Sequence, residues 1–377
     1  MNSRSWAGIV LALAVLVGVV GWWLRRGPGP APAVGRHTAA RPLDEPDATR
    51  PTSVEADAPS PPVLAPSNTA APTTPPAPTA GDAGAHVLLH ATWGSGPDQL
   101  GRDRPREANP EAPMSLAADS RGQLLVLDQV NRRLVRYGRD GRPLGNVPLS
   151  VRAAQDIAVA GDGTIAVLDR LGDRTIALVG PDGQPRGTLA LVGRGITEGG
   201  GVTGVFVDRD TVYVEREHGP LVRVGRTDGT ADPERDEIPG RPTRDGLSYI
   251  SATLVDADTG RFAINSVDRA TQQHRFTRAF EMGLSVRGIL LLDTDRAGTI
   301  YVALLTHPRG DPSERPTFTI RLLCVDPLQG RPLGQSSLPV SVGAEETFRD
   351  FTVLDDGGVL YAFRNEQGVT IQQADCR

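Results

Sequence analysis

An internal repeat constrains this chain more than any other feature. Residues 113–149 and 154–191 align as PMSLAADSRGQLLVLDQVNRRLVRYGRDGRPLG over AQDIAVAGDGTIAVLDRLGDRTIALVGPDGQPRG. Each block reads as strand, tight turn, strand, loop, strand and Asp-Gly turn. The first hairpin recurs six times, from Leu116, Ile157, Val205, Thr253, Leu290 and Phe351, at intervals of about 40 to 60 residues. A second family of turns follows it: GRDGRPLG from Gly138, GPDGQPRG from Gly180, RTDGT from Arg226 and PLQGRPLG from Pro327. That period is the length of a four-stranded blade, and one blade cannot bury its apolar faces without neighbours. The expected fold class is all-β: a six-bladed β-propeller preceded by one transmembrane helix and a disordered Pro/Ala-rich linker.

Six blades counted from residue 113 leave the last one short, because the chain after Phe351 supplies three strands. The segment HVLLHATWG, 86–94, is expected to supply the fourth and so to close the ring, removing an exposed sheet edge. The insertion THPRGDPSERPT in the fifth repeat is expected to form a loop.

Upstream of the repeats the composition changes. Residues 6–24, WAGIVLALAVLVGVVGWWL, form an uninterrupted apolar run of about the length a bilayer requires, with Trp22 and Trp23 suited to the interface. It reads as an uncleaved signal anchor behind a short cytoplasmic tail, 1–5. The rival is a cleaved signal peptide ending near Ala31-Pro32-Ala33. Residues 27–85 are rich in Pro, Ala and Thr and hold too few large apolar side chains to offset the entropy of ordering, so they are expected to be a disordered linker. The propeller is assigned to 86–377. An anchor followed by a stalk suits a single-pass protein of the cytoplasmic (inner) membrane with its propeller on the periplasmic side. The two cysteines, Cys324 and Cys376, are an even count for that oxidising compartment; one disulfide and two separate buried thiols are both open.

All 40 basic residues are arginine, and with Ala, Pro and Gly so abundant this is coding bias rather than a binding signature. The net charge of −5 and the lack of an Arg stripe interleaved with aromatics argue against nucleic acid.

The residues around the first repeat resemble the NHL-repeat family of six-bladed propellers. WGSGPDQLG is followed by Pro113 and then LAADSRGQLLVLDQVNRRLVRYGRDGRPL, with a D-x-x-N-x-R arrangement at Asp128, Asn131 and Arg133. The second repeat departs from it, with Asp169, Gly172 and Arg174 at the equivalent places, and later repeats keep only the strand pattern.

The resemblance implies that residues starting each innermost strand face the central channel. By this alignment they are Ser115, Gln155, Asp156, Thr203, Ser251, Arg287, Arg349 and Asp350. A polar ring there either binds a ligand or satisfies itself and channel water. Asp128, Asp169, Glu215 and Asn265 recur at the end of the second strand; they either cap turns or converge on a hard cation. The run EREHGP breaks the pattern and reads as a solvated loop or, with His218 beside a carboxylate, as a site of acid–base chemistry; the loop RPTRDG from Arg241 reads as a polar connection or an anion-binding loop. The residues lack a paired nucleophile and base, a phosphate-cradling glycine loop and a metal-binding helix motif. The expectation is a non-catalytic binding or scaffolding propeller without a cofactor, whose partner is an envelope protein, peptide or glycan. The alternative is a metal-dependent lactonase or hydrolase at the channel, with Ca or Zn held by Glu215 and Asn265 and helped by Asp156 or Asp350.

Overall fold

A computed structural model of the chain describes residues 72–75, 85–310 and 317–376, within the compact unit Leu64–Arg377. The tail at 1–5, the apolar span at 6–24 and most of the linker at 27–85 lie outside the described residues. So do residues 311–316 of the expected insertion loop. No helix among the described residues is long and apolar enough to cross a membrane.

The described chain forms six four-stranded antiparallel sheets. Strand β1 (His86–Thr92) is set aside for the last of them. Blade 1 is β2 (Ser115–Ala118), β3 (Leu124–Asp128), β4 (Arg133–Tyr137) and β5 (Pro143–Pro148). Blade 2 is β6 (Asp156–Val159), β7 (Ile165–Asp169), β8 (Thr175–Val179) and β9 (Pro185–Ala190). Blade 3 is β10 (Val202–Asp208), β11 (Thr211–Arg216), β12 (Leu221–Arg226) and β13 (Glu237–Ile238). Blade 4 is β14 (Arg241–Pro242), β15 (Ser248–Asp256), β16 (Arg261–Asp268) and β17 (His274–Glu281). Blade 5 is β18 (Ser285–Thr294), β19 (Ile300–His307), β20 (Thr319–Val325) and β21 (Pro332–Leu338). Blade 6 is β22 (Phe351–Val353), β23 (Val359–Asn365), β24 (Gly368–Ala374) and, outermost, β1. The N-terminal strand therefore closes the ring, pairing antiparallel with β24 from His86↔Gln373 to Thr92↔Gly368.

Burial follows position within the blade. Every residue of β3 (LLVLD) and β7 (IAVLD) is buried, as a strand sandwiched between two neighbouring blades requires. The outermost β5 and β9 are largely exposed. The turns of the second marker need left-handed backbone: Gly141 sits at φ 79° and Gly183 at φ 83°, where a side chain would be strained. Among the described residues the apolar side chains between blades form five clusters, at the 6/1, 1/2, 2/3, 4/5 and 5/6 seams. Arginines mark the 3/4 seam instead. Arg269 pairs with Asp208 at 2.5 Å and lies over the Tyr249 ring, and Arg241 pairs with Glu215 at 2.7 Å.

Two expectations are corrected here. The hairpin TLVDADTGRFAIN joins β15 to β16, the second and third strands of blade 4, and is not a first hairpin. The first hairpin is β14–β15, whose turn is the RPTRDG loop; its inner strand is only two residues long, too short to show an apolar pattern. Within the expected disordered linker, Pro72–Pro75 is extended against blade 4, where Thr73 bridges Phe280 in parallel.

The channel network as candidate functional site

The innermost strands begin at one end of the channel, here the upper end, and run into their first turns at the lower end. At the upper end Asp156 is fully buried. It accepts hydrogen bonds from Ser115 Oγ (2.6 Å), the Val205 amide (2.9 Å) and Arg349 Nη2 (2.6 Å), which belong to blades 1, 3 and 6. Arg349 also donates to the Val205 carbonyl, and its own carbonyl accepts from the Leu116 amide. Four blades thus meet on one carboxylate–guanidinium pair.

A second pair faces it. Glu215, at the end of β11, accepts from Arg241 Nη2 (2.7 Å) and Thr203 Oγ1 (2.9 Å), while Arg241 Nη1 donates to the Leu292 carbonyl of blade 5 (2.5 Å). Phe206 lies between the two arginines: the guanidinium carbons of Arg241 and Arg349 stand 4.5 and 4.6 Å from its ring centroid. Cation–π contacts of this kind strengthen as water is excluded. At the lower end Arg244, in the β14–β15 turn, binds Asp293 (2.7 Å) and Asp355 (3.0 Å), and Arg296 holds the other oxygen of Asp355 (2.7 Å). Arg241, Arg244 and Arg349 between them contact all six blades.

Burial alone would raise the Glu215 carboxyl, but the Arg241 guanidinium, assisted by Thr203 and His218, wins and holds it below its ordinary value of 4.5. A carboxyl whose folded pKa is depressed contributes stability that is full above the unfolded value and is lost as pH falls through the folded one. Stability is therefore expected to decline below about pH 4.5, and Glu215→Gln to flatten that part of a urea-midpoint profile against pH. Equal slopes in the two proteins would refute the assignment.

The structure distributes the sequence-derived residues unevenly. Ser115, Asp156, Thr203, Glu215 and Arg349 belong to the upper network. Asp350, next to Arg349, accepts from Arg364 (2.7 Å) and Thr347 (3.3 Å), and its Oδ1 is buried without a partner among the described residues. Gln155 is likewise left with a buried, unpartnered Oε1. Arg287 is exposed on β18 and makes no ion pair among the described residues. Ser251 does not start an innermost strand and Asn265 does not end a second one: they pair with each other across β15 and β16, the second and third strands of blade 4, a consequence of its short inner strand. Asn265 bonds Thr277 and does not join Glu215. His218 is exposed in the β11–β12 turn, its Nδ1 3.6 Å from Glu215.

The Asp-x-x-Asn-x-Arg residues have a structural task. Asp128 accepts from the Gly101 amide, Asn131 and Arg133, while Arg133 reaches the Gly96 and Gln99 carbonyls and Asn131 the Gly94 carbonyl. They clamp the WGSGPDQLG segment that carries the chain from β1 into blade 1. Asp169 caps its own turn through the Gly172 amide. Cys324 and Cys376, both buried, form a disulfide with Cα atoms 5.9 Å apart. Arg241 opens the RPTRDG loop and Phe206 is the second residue of the third hairpin, but the repeat pattern marks neither as a channel residue.

No family model matches the chain, and no curated protein matches it in sequence. Its topology makes it a six-bladed β-propeller, and it is similar in structure, at low identity, to WD40 and virginiamycin B lyase propellers. U3-55K is 12% identical, covering 72% of this chain and 97% of that one, at a TM-score of 0.45. The RRP9 WD40 repeats are 12% identical, covering 73% and 97%, at 0.46. Virginiamycin B lyase from Staphylococcus aureus is 9% identical, covering 70% and 94%, at 0.36.

Proposed function

We propose that this chain is an NHL-like, non-catalytic binding propeller, held on a stalk outside the cytoplasmic membrane, that engages an envelope protein, peptide or glycan. The observation that carries the reading is that three carboxylates at the channel are already held by protein donors. Asp156, Glu215 and Asp350 each already accept from an arginine and a hydroxyl. A metal hydrolase would need two or more of these oxygens to leave those donors and converge on one ion, and buried charges are costly to strand. Among the described residues one group of acidic, cysteine or histidine atoms is close enough for a metal, Cys324, Asp375 and Cys376, and its two sulfurs are bonded to each other. The disulfide is also consistent with an oxidising, exported location.

The test uses the full chain in detergent, immobilised and challenged with fractionated envelope extract and with peptidoglycan. Saturable retention of one component, competed by free chain, is the expected result. One equivalent of tightly held Ca or Zn, whose removal abolishes hydrolysis of a lactone, would overturn it in favour of an enzyme.

A further inference from the structure

Every propeller blade ends in an outermost strand whose free edge can template another strand. Here most of those edges are blunted. Strands β5, β9 and β21 each carry proline and glycine, and β13 is two residues long. Strand β1 carries a bulge at Leu88, whose carbonyl lies against Gly141 of blade 1. Strand β17, HRFTRAFE, has neither proline nor glycine, and Phe276–Glu281 pair with β16 in unbroken register. Among the described residues, a further segment of the chain is seated on its outer edge. The Thr73 amide donates to the Ala279 carbonyl (2.9 Å), and the Glu281 amide donates to the Thr73 carbonyl (3.3 Å). Pro75 is buried and Thr74 is exposed.

We propose that the outer edge of blade 4 is a strand-acceptor site for an extended, Pro/Thr-rich peptide, and that this chain's own Pro72-Thr73-Thr74-Pro75 fills it in cis. The chemistry of the site selects such a peptide. Parallel addition asks for one residue whose N–H and C=O both face the edge, and Thr73 supplies them. Prolines on either side of a Thr-Thr pair hold the backbone extended at low entropic cost, and need no amide at their own positions. The segment also covers part of a long outer edge that lacks proline and glycine, which would otherwise recruit strands from other molecules. This site lies on the rim of the propeller and is independent of what the channel end binds.

The experiment measures amide exchange at Glu281 in the full chain. In Thr73→Pro the donor to Ala279 is gone, and Glu281 is expected to exchange about ten-fold faster. Thr74→Pro, whose amide makes no hydrogen bond among the described residues, is expected to exchange like the parent. Adding the peptide Ala-Pro-Thr-Thr-Pro-Pro-Ala at millimolar concentration is expected to restore protection to the Thr73→Pro chain. Equal exchange in parent and Thr73→Pro, or equal loss in both variants, would overturn the site. Protection that rises with protein concentration would overturn occupancy in cis and assign the edge to a second copy.

Discussion

Replacing Arg349 with methionine is expected to destabilise the propeller by about 3–5 kcal/mol, because it strands a buried carboxylate. Asp156 has no exposed surface, whereas Arg349 keeps part of its side chain in solvent. Two donors, the Ser115 hydroxyl and the Val205 amide, would remain on Asp156, so the loss belongs at the lower end of that range. In a chain of this size the thermal midpoint should fall by roughly 10 °C. Part of the loss should be recovered when Asp156→Asn is added, since a neutral amide needs no counter-ion. Urea midpoints of the two single variants and the double variant measure this directly. Additive losses would mean that the pair is not the energetic unit described here. Methionine keeps much of the packing against Phe206, so the variant tests charge more than volume.

The second large effect is expected from reducing Cys324–Cys376. The bridge spans 52 residues and ties the third strand of blade 5 to the end of the third strand of blade 6. In the chain-entropy account a loop of that length is worth about 4 kcal/mol at most. Its position sharpens the expectation, because β24 also carries the closing strand β1. Loosening the end of β24 should weaken the one seam that joins the two ends of the propeller. Denaturant midpoints with and without reductant, and in Cys376→Ser, are expected to drop together. Unchanged midpoints would show that the closure is held by sheet pairing and by the apolar cluster around Tyr301, Phe351 and Tyr361 alone.

Legibility in the sequence followed the length of the strands. First hairpins starting at Leu116, Ile157, Val205, Leu290 and Phe351 coincide with β2–β3, β6–β7, β10–β11, β18–β19 and β22–β23. Each has an inner strand of three or more residues with apolar content, which is enough to show against its turn. Blade 4 departs from the pattern because Arg241–Pro242 is too short and too polar to show an apolar strand, while β15 and β16, nine and eight residues long, imitate a first hairpin. Counting that imitation as a first hairpin puts Ser251 at the start of an innermost strand and Asn265 at the end of a second one, positions neither occupies, and leaves Arg241 in a connecting loop. Asp156 and Arg349 could be placed near the channel from the repeat frame, but their pairing joins positions 193 residues apart. The frame gives a residue's height in its blade and says nothing of which neighbour its side chain reaches.

The sequence by itself determined the number of blades and the turn glycines, because each rests on local chemistry repeated at a fixed period, and the strand that closes the ring, because the last repeat is one strand short. Tertiary structure alone decided the three arginines that stitch the blades across the channel, the arginine-marked seam between blades 3 and 4, and the docking of Pro72–Pro75 on β17. Those depend on side chains and edges brought together by ring closure. A guanidinium finds its carboxylate, and an open edge its strand, only after the six blades have fixed the distances between them.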